Sequence, residues 1–326
     1  MATANPLLTL PSTPGDLGRV ERALREAVHT PDDLLNEMAS HLVLAGGKRL
    51  RPLLATVAAR AGGSPVSDDV IRGGVAVELV HLGSLYHDDV LDEAETRRGV
   101  ESVNAKWGNL KAILAGDFLL ARASELAASL GAEVAGLLGH TIGRLCEGEV
   151  GQLRWSFNAD RPIDAYLDSI NGKTASLFAT SCRIGALVGD LDRPTVDAVT
   201  TFGASFGMVF QVVDDVLDLI ASEEQLGKPS GHDLFEGVYT LPVLETLAVG
   251  GAATEELRDL LGRPIDGPEL DKALGIIRSG VGVGRALETA RRFADDAAAA
   301  AHECGTGDVV DAMAAAGYAL VDSVTS

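Results

Sequence analysis

Aromatic residues are scarce in this chain: Phe, Trp and Tyr together make up 4% of its 326 residues. Strands draw heavily on aromatic and β-branched side chains, and no alternating run of Val, Ile or Thr is present to suggest a sheet. Cysteine is scarce too. Cys146, Cys182 and Cys304 are odd in number and widely spaced, which excludes a disulfide framework and a cysteine-built zinc site. They read as small core hydrophobes. Basic residues are outnumbered, with 27 Lys and Arg against 47 Asp and Glu, for a formal net charge of −20. Such a surface repels phosphate backbones and excludes a general nucleic-acid binder. An anionic protein binds anionic small molecules only through local cations, so small basic clusters carry information. No apolar run is expected to span a bilayer, and the opening MATANPLLTLPSTPGD lacks the basic-then-apolar pattern of a signal peptide. The expected location is the cytoplasm, without integral membrane association.

What is abundant is Ala, Leu and Val within a 46% hydrophobic content. Ala and Leu favour helix, and the expected class is all-α. Residues 1–15, with three prolines, are expected to form a loose arm. From Asp16, a plausible N-cap, the positions Leu17, Val20, Ala23, Leu24, Ala27 and Val28 fall on one helical face. A second helix is expected from Asp32 to Leu44, ended by Gly46 and Gly47. A long helix follows from Ser67 to Glu93, with others near 110–128, 132–154, 163–171, 174–188 and 195–220, and a polar, Gly-containing loop over 222–237. With no linker and no internal repeat, residues 16–326 are expected to form one all-α domain, a single large helical bundle.

Two short motifs carry the chemistry. Asp88-Asp89-Val90-Leu91-Asp92 ends the long helix, and Asp214-Asp215-Val216-Leu217-Asp218 ends another. On a helix the first and last Asp of each lie one turn apart on the same face, with the middle one about 100° round. Like charges so placed repel, and burying them beside apolar sequence is costly unless cations neutralise them. Magnesium suits such a cluster, because it takes hard oxygen ligands and is commonly shared between one or two carboxylates and substrate phosphates. The negative end of each helix dipole adds to that preference. One acidic run alone would read as a solvated helix face; two copies beside strongly apolar helix do not.

Five segments in order, GGKRLRP (46–52), ELVHLGSLYHDDVLDEAETRRG (78–99), GKTA (172–175), GMVFQVVDDVLD (207–218) and GKPSGHDL (227–234), resemble the trans-isoprenyl diphosphate synthases, or polyprenyl synthetases. The resemblance covers about Gly46 to Pro242. It implies the isoprenoid synthase helical fold around a central substrate cavity and the magnesium-dependent, head-to-tail condensation of isopentenyl diphosphate with an allylic diphosphate. It further implies that Asp88, Asp89, Asp92, Asp214, Asp215 and Asp218 hold three magnesium ions on the allylic diphosphate, that Arg97, Lys173 and Lys228 grip the same group, and that Lys48, Arg51, His81 and Arg98 hold isopentenyl diphosphate. Lys173, Thr174 and Gln211 resemble the groups that stabilise the allylic cation. Taken alone, His81 on an apolar helix would read as a core histidine, and Lys48, Arg97 and Arg98 as surface charges.

One departure stands out. Many members carry a lysine directly after the glycine that follows the second motif, and here Gly237 is followed by Val238. One diphosphate contact is therefore expected to be missing or replaced. Gly83 and Ser84, one turn below Asp88, are small where shorter-chain members often place a ring, and Tyr86 points elsewhere on the helix. An open channel and a product of six to ten isoprene units are expected, with Phe118 a candidate floor. A long lipid product would need a membrane or carrier for release. The alternatives are a geranylgeranyl or farnesyl diphosphate synthase, a terpene cyclase, an inactive partner subunit or a non-enzymatic helical interaction protein. The resemblance also implies a homodimer.

Overall fold

The structure is a computed structural model that describes residues 5–221 and 230–325. Helix follows helix: α1 (Pro6–Thr9), α2 (Thr13–Ala27), α3 (Asp33–Leu44), α4 (Leu50–Ala61), α5 (Asp68–Leu91), α6 (Val103–Trp107), α7 (Asn109–Ser129), α8 (Ala132–Leu153) and α9 (Ile163–Ile170). A π-helical turn, Asn171–Ala175, leads into α10 (Ser176–Val188) and α11 (Arg193–Ile220). Then come α12 (His232–Phe235), α13 (Leu241–Val249), α14 (Ala252–Leu260), α15 (Gly267–Ser279), α16 (Gly282–Glu303) and α17 (Asp308–Thr325). Among the described residues the strands are confined to one antiparallel hairpin, β1 (Thr96–Arg97) with β2 (Val100–Glu101). The all-α expectation holds.

From Asn5 onward the start of the chain differs from the loose arm expected over residues 1–15. The Asn5 side chain caps the Leu7 N–H at 3.0 Å, Thr13 Oγ1 donates to the Leu7 carbonyl at 2.8 Å, and Leu7 and Leu10 are buried with Leu53, Phe202 and Met313. The prolines suggested looseness, but the leucines between them fill a groove in the core. Helix α2 accordingly starts at Thr13 rather than Asp16, and Asp16 instead accepts from Arg60 Nη2 at 2.7 Å.

Helix α10 packs against α4, α5, α8 and α11, so the two aspartate-bearing helices flank a common partner. On length and composition alone α11 could cross a membrane, contrary to the sequence expectation. Its rings and aliphatic side chains, Phe202, Phe206, Val209 and Val212 among them, are instead buried in the core. The cysteines divide: Cys182 is buried, Cys304 is half-buried, and Cys146 is exposed rather than in the core. Tyr86 points away from the aspartates, donating its hydroxyl to the Met38 carbonyl at 2.7 Å.

Candidate active site

Ser67 caps α5, accepting from the Val70 N–H, and Asp192 caps α11, accepting from the Thr195 N–H. Each cap fixes the start of a helix whose far end carries the aspartates. Asp88, Asp92, Asp214 and Asp215 line one cavity of about 580 Å³, together with Arg97, Arg161, Lys173 and Glu149. Burial pushes the Asp88 carboxyl up to about 6, with Lys173 the main opposing influence. It pushes Asp215 up to about 7, against hydrogen bonds from Tyr166 and Gln211. These carboxylates therefore ionise reluctantly until a cation arrives.

Asp89 and Asp218 stand apart from this lining. Asp89 is fully buried, and Arg97 Nε and Nη2 both meet its Oδ1 at 2.6 Å. Asp218 Oδ2 accepts from the Asp233 N–H at 3.2 Å, and its carbonyl accepts from the Gly231 N–H at 2.8 Å. Asp89 and Asp218, both expected as metal ligands, thus do not line this cavity as Asp88, Asp92, Asp214 and Asp215 do: Asp89 orients Arg97, and Asp218 holds the Gly231 and Asp233 N–H groups. The middle and last aspartates could not be told apart by spacing, because that distinction depends on what packs behind each helix.

The π-helical turn aims the next group. Its wider ladder carries Lys173 and Thr174 to the cavity wall, as such bulges often do at functional sites. It seats closely on α8: a Cβ at Gly148 would lie 2.4 Å from the Lys173 nitrogen, so only glycine fits there. Lys173 Nζ pairs with Glu149 at 2.6 Å, and Glu149 and Asp88 keep it protonated although burial opposes this. Thr174 Oγ1 donates to Gln211 Oε1 at 2.7 Å, Gln211 Nε2 donates to Asp215 Oδ1 at 2.7 Å, and the Tyr166 hydroxyl donates to Asp215 Oδ2 at 2.5 Å. All three residues expected at the reacting centre, Lys173, Thr174 and Gln211, therefore come together. Lys228 lies outside the described residues.

A second, basic pocket of about 350 Å³ gathers Lys48, Arg51, His81 and Arg98 as expected. The hairpin explains how neighbouring arginines reach different places. Arg98 and Gly99 both have positive φ, 55° and 76°, the geometry of a two-residue turn between antiparallel strands. Arg97 enters the acidic cavity, while Arg98 donates to the Gly46 carbonyl and meets His81 Nε2 at 3.4 Å. Burial, then the charge of Arg51, Arg98, Arg97 and Arg49, drives His81 well below its ordinary range, so it is neutral and accepts from Arg98. Burial pulls Arg51 down to about 10. The sequence reading missed Glu78 beneath this pocket, although it stands one turn before His81 within a quoted segment. Its side chain is buried, Arg49 Nη1 reaches Oε1 at 3.1 Å, and Oε2 has no hydrogen-bond partner. Arg49 itself adopts φ 49° and also donates to Glu21 at 2.6 Å.

A third cavity of about 630 Å³ joins the two. It shares Arg51, His81 and Phe210 with the basic pocket, and Asp88, Lys173, Thr174, Gln211 and Asp214 with the acidic one. Between them its walls are mostly apolar, with Leu85, Leu91, Leu145, Val150, Leu153 and Leu177 beside Ser84, His87, Cys146 and Glu149. Ser84 lines it as expected. Gly83 does not: a Cβ there would lie 3.0 Å from the Gly116 carbonyl, so its smallness serves the α5–α7 contact. Phe118, the candidate floor, packs against the α5–α7 core and stacks with Arg122 outside this cavity.

Residues 32–277 match the polyprenyl synthetase family model. The chain is 38% identical over 282 residues to the nonaprenyl diphosphate synthase of Mycobacterium tuberculosis, covering 86% of this chain and 84% of that one. It is 40% identical over 283 residues to heptaprenyl diphosphate synthase component 2 of Geobacillus stearothermophilus, covering 86% and 88%. A polyprenyl synthase from Caulobacter crescentus, solved with calcium and isoprenyl diphosphate, superposes with a TM-score of 0.91 at 33% identity, covering 98% of each chain. With two aspartate-bearing helix ends facing one cavity and this likeness along most of its length, the chain belongs to the polyprenyl synthetase family.

Proposed function

We propose that the protein condenses isopentenyl diphosphate head to tail with an allylic diphosphate, giving an all-trans polyprenyl diphosphate of six to ten isoprene units. The observation that carries this reading is the order of three connected cavities: acidic, apolar, basic. An allylic diphosphate would place its anionic head in the acidic cavity and its hydrocarbon tail in the apolar one. Isopentenyl diphosphate would place its head among Lys48, Arg51, His81 and Arg98. The two reacting carbons then meet at the shared wall, beside Thr174, Gln211 and Phe210. Held there, they react as one complex rather than by collision.

The acidic cavity fits magnesium. Its donors are hard oxygens, and burial disfavours their charge unless a cation compensates. Asp88, Asp92, Asp214 and Asp215 would hold it, and the resemblance implies three such ions. Bound there, magnesium would stabilise negative charge on the leaving diphosphate. Lys173 adds a fixed positive charge at the same place, and the Thr174 and Gln211 oxygens line the path of the developing cation.

The relatives' products support the chain length, and at Ser84 and Leu85 the α5 wall of the apolar cavity carries no aromatic ring. The basic pocket weighs against a terpene cyclase, which needs no second diphosphate site. The aspartates weigh against an inactive subunit, although one relative is a component 2 of a heptaprenyl synthase. A homodimer is supported by large apolar side chains exposed on α7 (Leu110, Ile113 and Leu114), a face that a second copy would cover. Light scattering on purified protein tests this.

Purified protein with magnesium and labelled isopentenyl diphosphate should extend geranyl, farnesyl or geranylgeranyl diphosphate to chains of about thirty carbons or more. Elongation from none of them, by a folded protein, would overturn the reading. Products stopping at about twenty carbons would keep the enzyme class and move the floor nearer the site.

A further inference from the structure

Arg161 enters the acidic cavity from the loop between α8 and α9. It is only 5% exposed. A guanidinium carries five N–H donors. Here Nη1 meets the Tyr239 carbonyl at 3.4 Å and Nη2 the Ala165 carbonyl at 3.5 Å, both beyond the usual range. Nε is buried with no hydrogen-bond partner. The cation also lies 5.4 Å from the centre of the Tyr166 ring, whose hydroxyl holds Asp215. A buried guanidinium so weakly satisfied is costly unless an anion meets it. The cavity it lines is the one built for a metal-bound diphosphate.

Position 238 supplies an independent observation. Val238 lines the same cavity and brings no charge to it. The segment around it is tied to the loop that carries Arg161. The Phe157 N–H donates to the Gly237 carbonyl at 2.8 Å, and a Cβ at Gly237 would lie 2.5 Å from the Phe157 ring. Arg161 reaches the Tyr239 carbonyl on the other side of Val238. A cation at 161 and a cation at 238 would therefore serve the same wall.

We propose that Arg161 is a further binding residue for the allylic diphosphate, supplying from the α8–α9 loop the positive charge that Val238 does not. This rests on the prenyltransferase reading above. Arg161 lines neither the basic pocket nor the apolar cavity, so its effect belongs to the allylic substrate alone.

The test compares wild type, Arg161→Met, Val238→Lys with Arg161→Met, and Lys173→Met as a control. KM is measured for each substrate, and calorimetry measures inorganic pyrophosphate binding with magnesium. Arg161→Met is expected to weaken allylic KM and pyrophosphate binding about 10- to 100-fold, the size of a lost charge-assisted contact. KM for isopentenyl diphosphate should stay within about twofold, and adding Val238→Lys should restore most of the loss. Unchanged allylic KM and pyrophosphate affinity in Arg161→Met, with Lys173→Met impaired, would overturn the proposal and leave the prenyltransferase reading standing. A lowered melting temperature and weakened binding that Val238→Lys does not restore would also overturn it, by making Arg161 a structural tie. Wild type that binds no magnesium pyrophosphate and elongates nothing would overturn both. Should Arg161→Met fail to fold, Arg161→Gln and Arg161→Lys decide: a loss with Gln and not with Lys supports the charge, and equal affinity in wild type and Gln overturns it.

Discussion

The acidic and basic ends of the central cavity solve opposite electrostatic problems by different means. The basic pocket carries its own counter-ion. Glu78 is buried beneath three arginines, pairs directly with Arg49, and favours the charged forms of Arg51 and Arg98. The acidic cavity has cations at its rim, but two of them are already committed: Arg97 to Asp89 and Lys173 to Glu149. Burial holds Asp88 and Asp215 toward their protonated forms, against the opposing charge of Lys173 on Asp88. One end is prepared to receive an anion as it stands, whereas the other is prepared only once cations come with the anion.

Removing a carboxylate that lines the acidic cavity should have the largest effect. Asp88→Ala and Asp214→Ala are expected to lower kcat about 10²- to 10³-fold, since each withdraws stabilisation of the leaving diphosphate. Asp218→Ala should affect thermal stability at least as much as kcat, because its carboxylate holds the Asp233 N–H. Steady-state kinetics with a melting curve on each variant separates the two classes. Equal kcat losses for Asp88 and Asp218 would erase the distinction drawn between them.

The basic end should break differently. Glu78→Gln leaves Arg49 with one buried acid fewer, and losing a partner from a buried pair typically costs about 3–5 kcal/mol of stability. The arginines of the pocket lose their shared anchor, so KM for isopentenyl diphosphate should rise about 10-fold while KM for the allylic substrate barely moves. An equal rise in both would mean that Glu78 supports the whole cavity rather than one end.

Titration sharpens the same contrast. Asp215 keeps its proton in the fold up to about pH 7, whereas in the unfolded chain it loses it near pH 3.9. Between those values the folded state binds more protons, so this carboxyl reduces stability as pH rises. In metal-free protein, the melting temperature of Asp215→Asn minus that of wild type should therefore increase from about pH 4 to pH 8. Magnesium with pyrophosphate should shrink that gap at the upper end. A difference that is flat with pH would show that Asp215 is not held protonated.

Much of this was legible in the sequence because it depends on local rules. Helical periodicity and the repeated aspartate spacing placed α3, α5 and α11 within a few residues of their observed bounds, although the cap expected at Asp16 was not one. What was hidden depends on partners distant in sequence. Nothing local distinguishes Asp89 from Asp88 until Arg97 folds back upon it, and nothing marks Arg161 until residues 237–239 pack beside its loop. The buried Leu7 and Leu10 were missed for the same reason: the groove that receives them is built by α4, α11 and α17.

The smallest expected change concerns the path between the two ends, where Gly83 and Ser84 looked equivalent from spacing alone. Ser84 faces the apolar cavity, its hydroxyl turned back to the His81 carbonyl at 2.9 Å. A ring at this position would enter the space that the growing chain must cross. Ser84→Phe is therefore expected to keep substantial turnover and shift the product toward fewer isoprene units. Gly83 instead lies against the Gly116 carbonyl and the Leu120 side chain, 3.0 and 3.2 Å from where a Cβ would sit. Gly83→Phe should push α5 from α7 and lower the melting temperature, the usual outcome of overpacking a close contact. Chromatography of dephosphorylated products, beside a melting curve for each variant, separates the two. Shortened product from a stable Gly83→Phe protein would place the channel on the α7 side of α5 and reverse the assignment.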